Sequence, residues 1–240
     1  MKSKSQVDIF GVAVKEYYKS KWKSRRIRVL SDISGEEFIK TSYLFREFSS
    51  MPTIEQKALN LADGDILDIG ACTGCHALEL QDMGKKVTAL EISQGCCDVM
   101  KERGVSNIIC DDYFNYDGKH DTLLLLMNGI GLVGTIKGLR KFLQHSRSIL
   151  NPNGTIYFDS SDIEYAYYEK DGSKWINLNS EYYGEVKYRM FYKKLEGDEF
   201  EWLFIDPDTM KQVAEEEGFE FTLLEKGRHY DYLGKLKIKT

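Results

Sequence analysis

An open, doubly wound α/β sheet of seven mostly parallel strands is the fold class that this sequence predicts. Three observations predict it. Short apolar runs alternate with stretches of amphipathic, helical period. The run Leu123-Leu124-Leu125-Leu126 is continuous, as a central strand covered on both faces requires. The stretch DILDIGACTGCHALEL, residues 65–80, sets a small-residue turn between an apolar run and a helical pattern, which is a nucleotide-binding arrangement.

The elements follow in order. Residues 1–50 precede the core and read as an N-terminal helical lid. Pro52 fits the first turn of a helix running to about Ala62. Strands are expected near 65–69, 86–91, 106–110, 121–127 and 154–159, with helices near 74–83, 93–103 and 135–150. Ile136, Leu139, Leu143, Ile149 and Leu150 give the last of these helices its buried stripe. Gly84 and Gly104 stand where helix ends need a left-handed residue. Asn151-Pro152-Asn153-Gly154 reads as a turn before the fifth strand. Residues 182–195 and 199–205 are rich in strand formers and flank Glu196-Gly197-Asp198, which predicts a β-hairpin inserted after the fifth strand. A helix over 208–217, ended by Gly218, and strands at 219–224 and 230–238 close the chain. The core is thus 51–240, with 160–205 as an inserted β-rich element.

Composition narrows the function. The 240 residues suffice for one α/β domain with an added element. A net charge of −5 gives no bulk reason to expect nucleic acid as a partner. Lys15, Lys19, Lys21, Lys23, Arg25, Arg26 and Arg28 stand against Glu16 alone, and this run reads as a solvated face. MKSKSQVDIF lacks the apolar segment of a secretory leader, and the run 123–127 is too short to cross a bilayer. All five cysteines lie between Cys72 and Cys110 and read as reduced thiols, so a cytoplasmic protein is expected.

The strand ends carry the chemistry. Asp68 precedes Gly70 by two residues, where a carboxylate would oppose a pyrophosphate and suits a ligand with a cationic group. Gly70 and Gly74 let the backbone come close to a ligand. Glu91 ends the next strand about 20 residues on, where α/β nucleotide sites hold ribose hydroxyls, and Ser93 can cap the following helix. The third strand ends in Asp111-Asp112.

These three strand ends together resemble the class I S-adenosylmethionine (SAM)-dependent methyltransferases, and the LNPNG stretch at 150–154 is similar to that family as well. The resemblance implies a Rossmann-like methyltransferase fold, SAM as cofactor, and transfer of a methyl group to a small-molecule acceptor by direct displacement. It places Asp68, Gly70, Ala71, Cys72 and Gly74 at the cofactor turn and Glu91 and Ile92 beside the ribose. Asp112 would accept the adenine amino proton, with Tyr113 or Phe114 beside the ring. Cys72 departs from the glycine that the family often has there.

Tyr43 and Arg46 are further cofactor candidates, the Arg as partner of the cofactor carboxylate or else as a surface residue. Asn128 is a candidate for both cofactor binding and catalysis. Asp159 and Asp162 are catalytic candidates, with capping or turn chemistry as the alternative. A sulfonium carries an already activated methyl, so a base is needed only if the acceptor must lose a proton. His76 opens the helix after the turn and could reach the site, with a helix-surface residue as the favoured alternative. Cys72-Thr73-Gly74-Cys75 has CxxC spacing, but it lies in a turn that already has a function, and no metal is expected.

Acceptor choice is expected in the two segments outside the pattern. The first carries Tyr17, Tyr18, Trp22, Phe38, Tyr43, Phe45 and Phe48, and the second Tyr165, Tyr167, Tyr168, Trp175, Tyr182 and Tyr183. Two rivals remain. A SAM-binding regulator or nucleic-acid-binding module has only the basic run behind it. An NAD-dependent oxidoreductase is opposed by Asp68 and by the lack of a third glycine.

Overall fold

The computed structural model describes residues 7–20, 25–168, 173 and 182–239. Helix α1 (Ile9–Ser20) leads into strands β1 (Arg26–Ser31) and β2 (Gly35–Lys40), then α2 (Thr53–Leu61). The alternating part runs through β3 (Asp65–Ile69), α3 (Cys75–Asp82), β4 (Lys86–Glu91), α4 (Gln94–Arg103), β5 (Ile108–Cys110), β6 (His120–Leu125), α5 (Ile136–Ile149) and β7 (Leu150–Ser161). Then come β8 (Glu185–Tyr192), β9 (Leu195–Leu203), α6 (Pro207–Glu216), β10 (Phe219–Lys226) and β11 (Asp231–Ile238).

Seven strands form one sheet in the order β10-β11-β7-β6-β3-β4-β5. Strands β3 to β7 are parallel, and β11 is antiparallel to both of its neighbours. The strand order reverses between β3 and β6. The connections there leave in opposite directions, and the carboxyl ends border a crevice where ligands of such sheets bind. Helices cover both faces. Leu123 and Leu125 of β6 pack with Leu139, Phe142 and Leu143 of α5, while Leu124 packs with Ile54, Leu59 and Leu80 of α2 and α3. All are buried, each contributing roughly 1.5–3 kcal/mol. Two-sided burial is why this strand reads as a continuous apolar run.

A second, antiparallel sheet has the order β2-β1-β8-β9. The N-terminal segment and the insertion are therefore one layer, with Val29 of β1 opposite Met190 of β8. The expectation of a helical lid holds for α1 but not for residues 26–40. Ile27 and Val29 alternate with arginines, and the charge hid the two-residue period. The arginines sit on the outer face, Arg28 over the Phe191 ring at 3.8 Å and Arg26 over Phe38 at 5.9 Å. Other members of the basic run are paired, Lys15 with Asp98 at 2.5 Å and Arg25 with Glu16 at 3.0 Å. Lys21, Trp22, Lys23 and Trp175 lie outside the described residues.

Two turns differ from expectation. The hairpin reverses at Lys193, whose φ is +56°, and not at Glu196-Gly197-Asp198. Those residues belong to β9, where the register shifts between the pairs Phe191–Glu196 and Arg189–Glu199. The stretch Asn151 to Gly154 lies inside β7 as a bulge. Register with β6 jumps from His120–Leu150 to Thr122–Thr155, and Asn153 takes a φ of +67°. Among the described residues no helix is long and apolar enough to cross a membrane.

Candidate active site

After β3 the chain turns through three left-handed residues, Gly70 (φ +74°), Cys72 (φ +50°) and Gly74 (φ +79°), and enters α3. The glycines take this conformation freely, whereas Cys72 takes it at a cost of about 1–2 kcal/mol. Its N–H donates to Oε2 of Glu91 at 2.8 Å, and Oε1 of the same carboxylate accepts from the Ser93 N–H at 2.8 Å. Burial pushes the Glu91 pKa up, opposed by these backbone donors. Each oxygen keeps a second lone pair for a hydroxyl.

Beyond Glu91 the Ile92 side chain is 69% exposed, and at the end of β5 Phe114 is 45% exposed. Both are apolar groups left uncovered. Asp112 uses Oδ1 to accept the Phe114 N–H at 2.8 Å. Tyr113 lies elsewhere. Its ring stacks on Phe142 at 4.8 Å in the core and its hydroxyl bonds Ser146 at 2.7 Å, so Phe114 is the open side chain of the pair.

The N-terminal segment is fastened to this turn. The Leu44 carbonyl accepts from the Thr73 hydroxyl and from the Cys75 thiol, the latter at 2.9 Å. Arg103 donates to the Thr73 carbonyl at 2.6 Å and lies over the Phe45 ring at 5.1 Å. Asp8 accepts from the N–H of Gly11 at 2.7 Å, the N–H of Gly95 at 3.1 Å and the hydroxyl of Ser93 at 2.8 Å. It thereby caps α1 and α4 together. The two helices touch at bare backbone, since a Cβ on Gly95 would lie 2.4 Å from the Gly11 Cα.

A buried polar group lies on the other side of the turn. Arg46, 8% exposed, donates through Nη2 to Oε2 of Glu55 at 2.5 Å, and His76 Nε2 meets the same oxygen at 2.9 Å. Nη1 of Arg46 donates to the Tyr43 carbonyl at 3.2 Å, and the guanidinium lies over the Tyr43 ring at 4.5 Å. Burial works against ionisation of Glu55, but His76 and Arg46 outweigh it and hold the carboxyl below its ordinary value. The surface readings of His76 and Arg46 thus fail, because α3 packs against α2 and the lid closes over both. No local pattern marks Glu55, which reads as one more polar residue on a helix.

At the end of β6, Met127 (φ +65°) and Asn128 (φ +53°) are both left-handed. The Asn128 N–H donates to both oxygens of Asp159, each at 2.9 Å. Burial pushes the pKa of Asp159 up to about 7. Asp162 is engaged in turn chemistry, its Oδ1 accepting from the Glu164 N–H at 2.9 Å and the Tyr183 hydroxyl at 2.7 Å. All five cysteines are free thiols, and no cluster of His, Cys, Asp or Glu among the described residues could hold a metal.

Among the described residues, three buried side-chain polar atoms have no hydrogen-bond partner: Arg46 Nε, Asp68 Oδ2 and Asn128 Oδ1. Each such orphan costs about 1–3 kcal/mol. Asp68 is 1% exposed, and burial pushes its pKa up. One unpaired donor and one unpaired acidic acceptor can complement a carboxylate and an ammonium, and Glu91 can accept hydroxyls.

Comparison with known proteins gives the family. A family model described as a methyltransferase domain matches residues 67–158. A SAM-dependent methyltransferase from Bacteroides fragilis, solved with S-adenosyl-L-homocysteine (SAH), is 39% identical, covers 98% of this chain and 98% of its own, and superposes with a TM-score of 0.91. The CcbJ methyltransferase from Streptomyces caelestis is 14% identical over 81% of this chain and 93% of its own, with a TM-score of 0.61. The sugar N-methyltransferase KedS8 from Streptoalloteichus is 13% identical over 82% and 90%, with a TM-score of 0.56. The last two speak for the fold alone. No curated protein sequence matches the chain. The chain belongs to the SAM-dependent methyltransferases, and SAM is its cofactor.

The double cap makes a testable demand. Replacing Asp8 by Ala strands the Ser93 hydroxyl and the Gly95 N–H beside Glu91. SAH affinity is expected to fall about tenfold, or ~1.4 kcal/mol. Calorimetry giving an unchanged affinity would show that α1 does not set the Glu91 loop.

Proposed function

We propose that this methyltransferase acts on a small-molecule acceptor at the carboxyl ends of β6 and β7, and that residues 1–50 and 160–205 form one cover over a 51–240 core. The joining of both segments in a single sheet supports this most directly. That sheet is anchored at the end of β6, where Asn128 Nδ2 donates to the Leu203 carbonyl at 3.5 Å, and at the cofactor turn through Leu44. The fold is one that small-molecule enzymes use, KedS8 among them. The partnered basic residues give the nucleic-acid reading no help. Free thiols throughout fit the cytoplasm.

SAM supplies an activated methyl group, and the chain supplies position and a water-poor site. Arg46 holds the cofactor carboxylate, assisted by Tyr43, and Asp68 its ammonium. Gly70, Ala71, Cys72 and Gly74 provide the close backbone approach. Glu91 accepts the ribose hydroxyls, with Ile92, Asp112 and Phe114 around the adenine.

Calorimetry should show binding of SAM and SAH and none of NAD. Glu91→Ala should cost roughly 1.5–3 kcal/mol of SAH affinity, the range for hydrogen bonds to a charged group. A methyl-transfer screen over metabolites tests the acceptor class. Transfer confined to protein or nucleic acid would sink the small-molecule reading.

A further inference from the structure

The three orphaned atoms are one more than the amino-acid end of SAM satisfies in the assignment above. Its carboxylate suits Arg46 Nε–H and its ammonium suits Asp68 Oδ2. Asn128 Oδ1 is left over, an acceptor without a donor. The backbone N–H of the same residue donates to both oxygens of Asp159. Met127 and Asn128 are both left-handed, a conformation that asparagine tolerates and methionine takes at a cost of about 1–2 kcal/mol.

Charge narrows what can come here. Asp68, Glu91, Asp159 and Glu55 are four buried carboxyls, and Glu55 already holds Arg46. A second ligand therefore meets a neutral acceptor, an ionisable carboxyl and an excess of negative charge. Past the end of β7, Tyr165 and Tyr230 stack at 4.6 Å and are 52% and 65% exposed. The Asp162 N–H donates to the Tyr230 carbonyl at 3.0 Å and ties this pair to the strand end. Aromatic faces attract cations.

Resting on the small-molecule reading above, the geometry points to an amine as the methyl acceptor, entering as its ammonium, oriented by Asn128 Oδ1 and giving its proton to Asp159. The ammonium passes one proton to the Asp159 carboxylate, which becomes a neutral acid. The freed nitrogen lone pair bonds the methyl carbon as the carbon–sulfur bond breaks, and that pair stays on sulfur. The positive charge moves from sulfur to nitrogen, and the product leaves as the methylated ammonium.

An alcohol could make the same hydrogen bonds, but it does not match the base. Burial brings Asp159 to about 7. An alkylammonium resembles a lysine side chain, near ~10.4, whereas an alcohol, like water, is a far weaker acid. The groups bearing on Asp159 are Glu55 from α2, His76 from α3, Tyr43 from the lid and Tyr232 from β11. Arg46 stands behind Glu55.

The test uses the full chain with CD3-labelled SAM and a panel of small amines, alcohols, thiols and carboxylic acids, read by fragment mass spectra. The expected label is on nitrogen. Label on oxygen, sulfur or carbon, or on no compound while SAH binds, overturns the amine assignment. Failure to bind SAH in calorimetry would instead overturn the assigned cofactor site. Asn128→Gly keeps the left-handed backbone and its N–H while deleting the amide. The KM for the labelled amine is expected to rise about tenfold, with SAH affinity within about threefold of the parent. A matching loss of SAH affinity would move Asn128 to the cofactor, and no change in either would remove its role. Both results overturn the orienting part of the inference.

Discussion

Replacing Asp159 by Asn is expected to abolish transfer and stabilise the protein at once. The activity loss follows from the missing base, since a positioned general base contributes about 10²–10⁴-fold. The parent's kcat/KM should rise with pH through about 7 as the carboxyl ionises, and the variant should lose that rise. The stability gain follows from linkage. The ordinary value of the acid is 3.8, and burial brings it to about 7 in the folded chain. Below the lower value both states hold the proton and the group costs nothing. Between the two the unfolded chain ionises first, so stability falls as pH rises. Above about 7 the folded protein carries an ionised, buried carboxylate at a cost of order 4 kcal/mol. Asn removes the charge. Denaturation at pH 8 should therefore show the variant to be more stable by up to about 4 kcal/mol, with little difference near pH 4. Equal stability at both pH values would mean that Asp159 is not strained by burial, and its role as base would lose its footing.

Arg46→Ala should have the opposite sign. Removal of the guanidinium leaves Glu55 buried with only His76 beside it. Breaking a buried pair on one side costs about 3–5 kcal/mol. For a chain of this size that lowers Tm by roughly 6–20 °C. SAH affinity should fall at least about tenfold, because the orphaned Nε–H leaves with the side chain. Adding Glu55→Gln should recover much of the stability and none of the affinity. Recovery of both would show that Arg46 serves only to balance Glu55. An unchanged Tm for the single variant would mean the pair is not buried as described.

The core was legible because each of its elements carries its signal locally. The four-leucine run gives a strand covered on both faces, and the small-residue turn gives the strand-to-helix junction. Asp68 and Glu91 mark strand ends by sequence distance alone. The cover was not legible because its strands pair across the chain. The pairing of β1 with β8 joins residues near 30 to residues near 190, and no local pattern reports such a partner. The arginines that alternate with Ile27 and Val29 also resemble a basic helix face. Tyr113 was drawn to the site by sequence neighbourhood, but the short helical turn at Tyr113–Asn115 rotates its ring into the core and leaves Phe114 outside. Glu55 and His76 acquire meaning only when α2 and α3 lie side by side.

That long-range pairing also has a kinetic meaning. Closing a loop between β1 and β8 costs entropy that grows with the logarithm of its length. The intervening chain is most of the parallel sheet, and once that sheet has folded it brings the two segments within reach. The cover is therefore expected to assemble last and to detach first, which hydrogen exchange at β1 and β8 would check. It detaches as a cooperative unit, since β1 cannot leave β8 without exposing Ile27, Val29 and Tyr192 together. One opening event would uncover both the nucleoside pocket and the amine pocket. Turnover would then be paced by a partial unfolding shared by substrate entry and product exit.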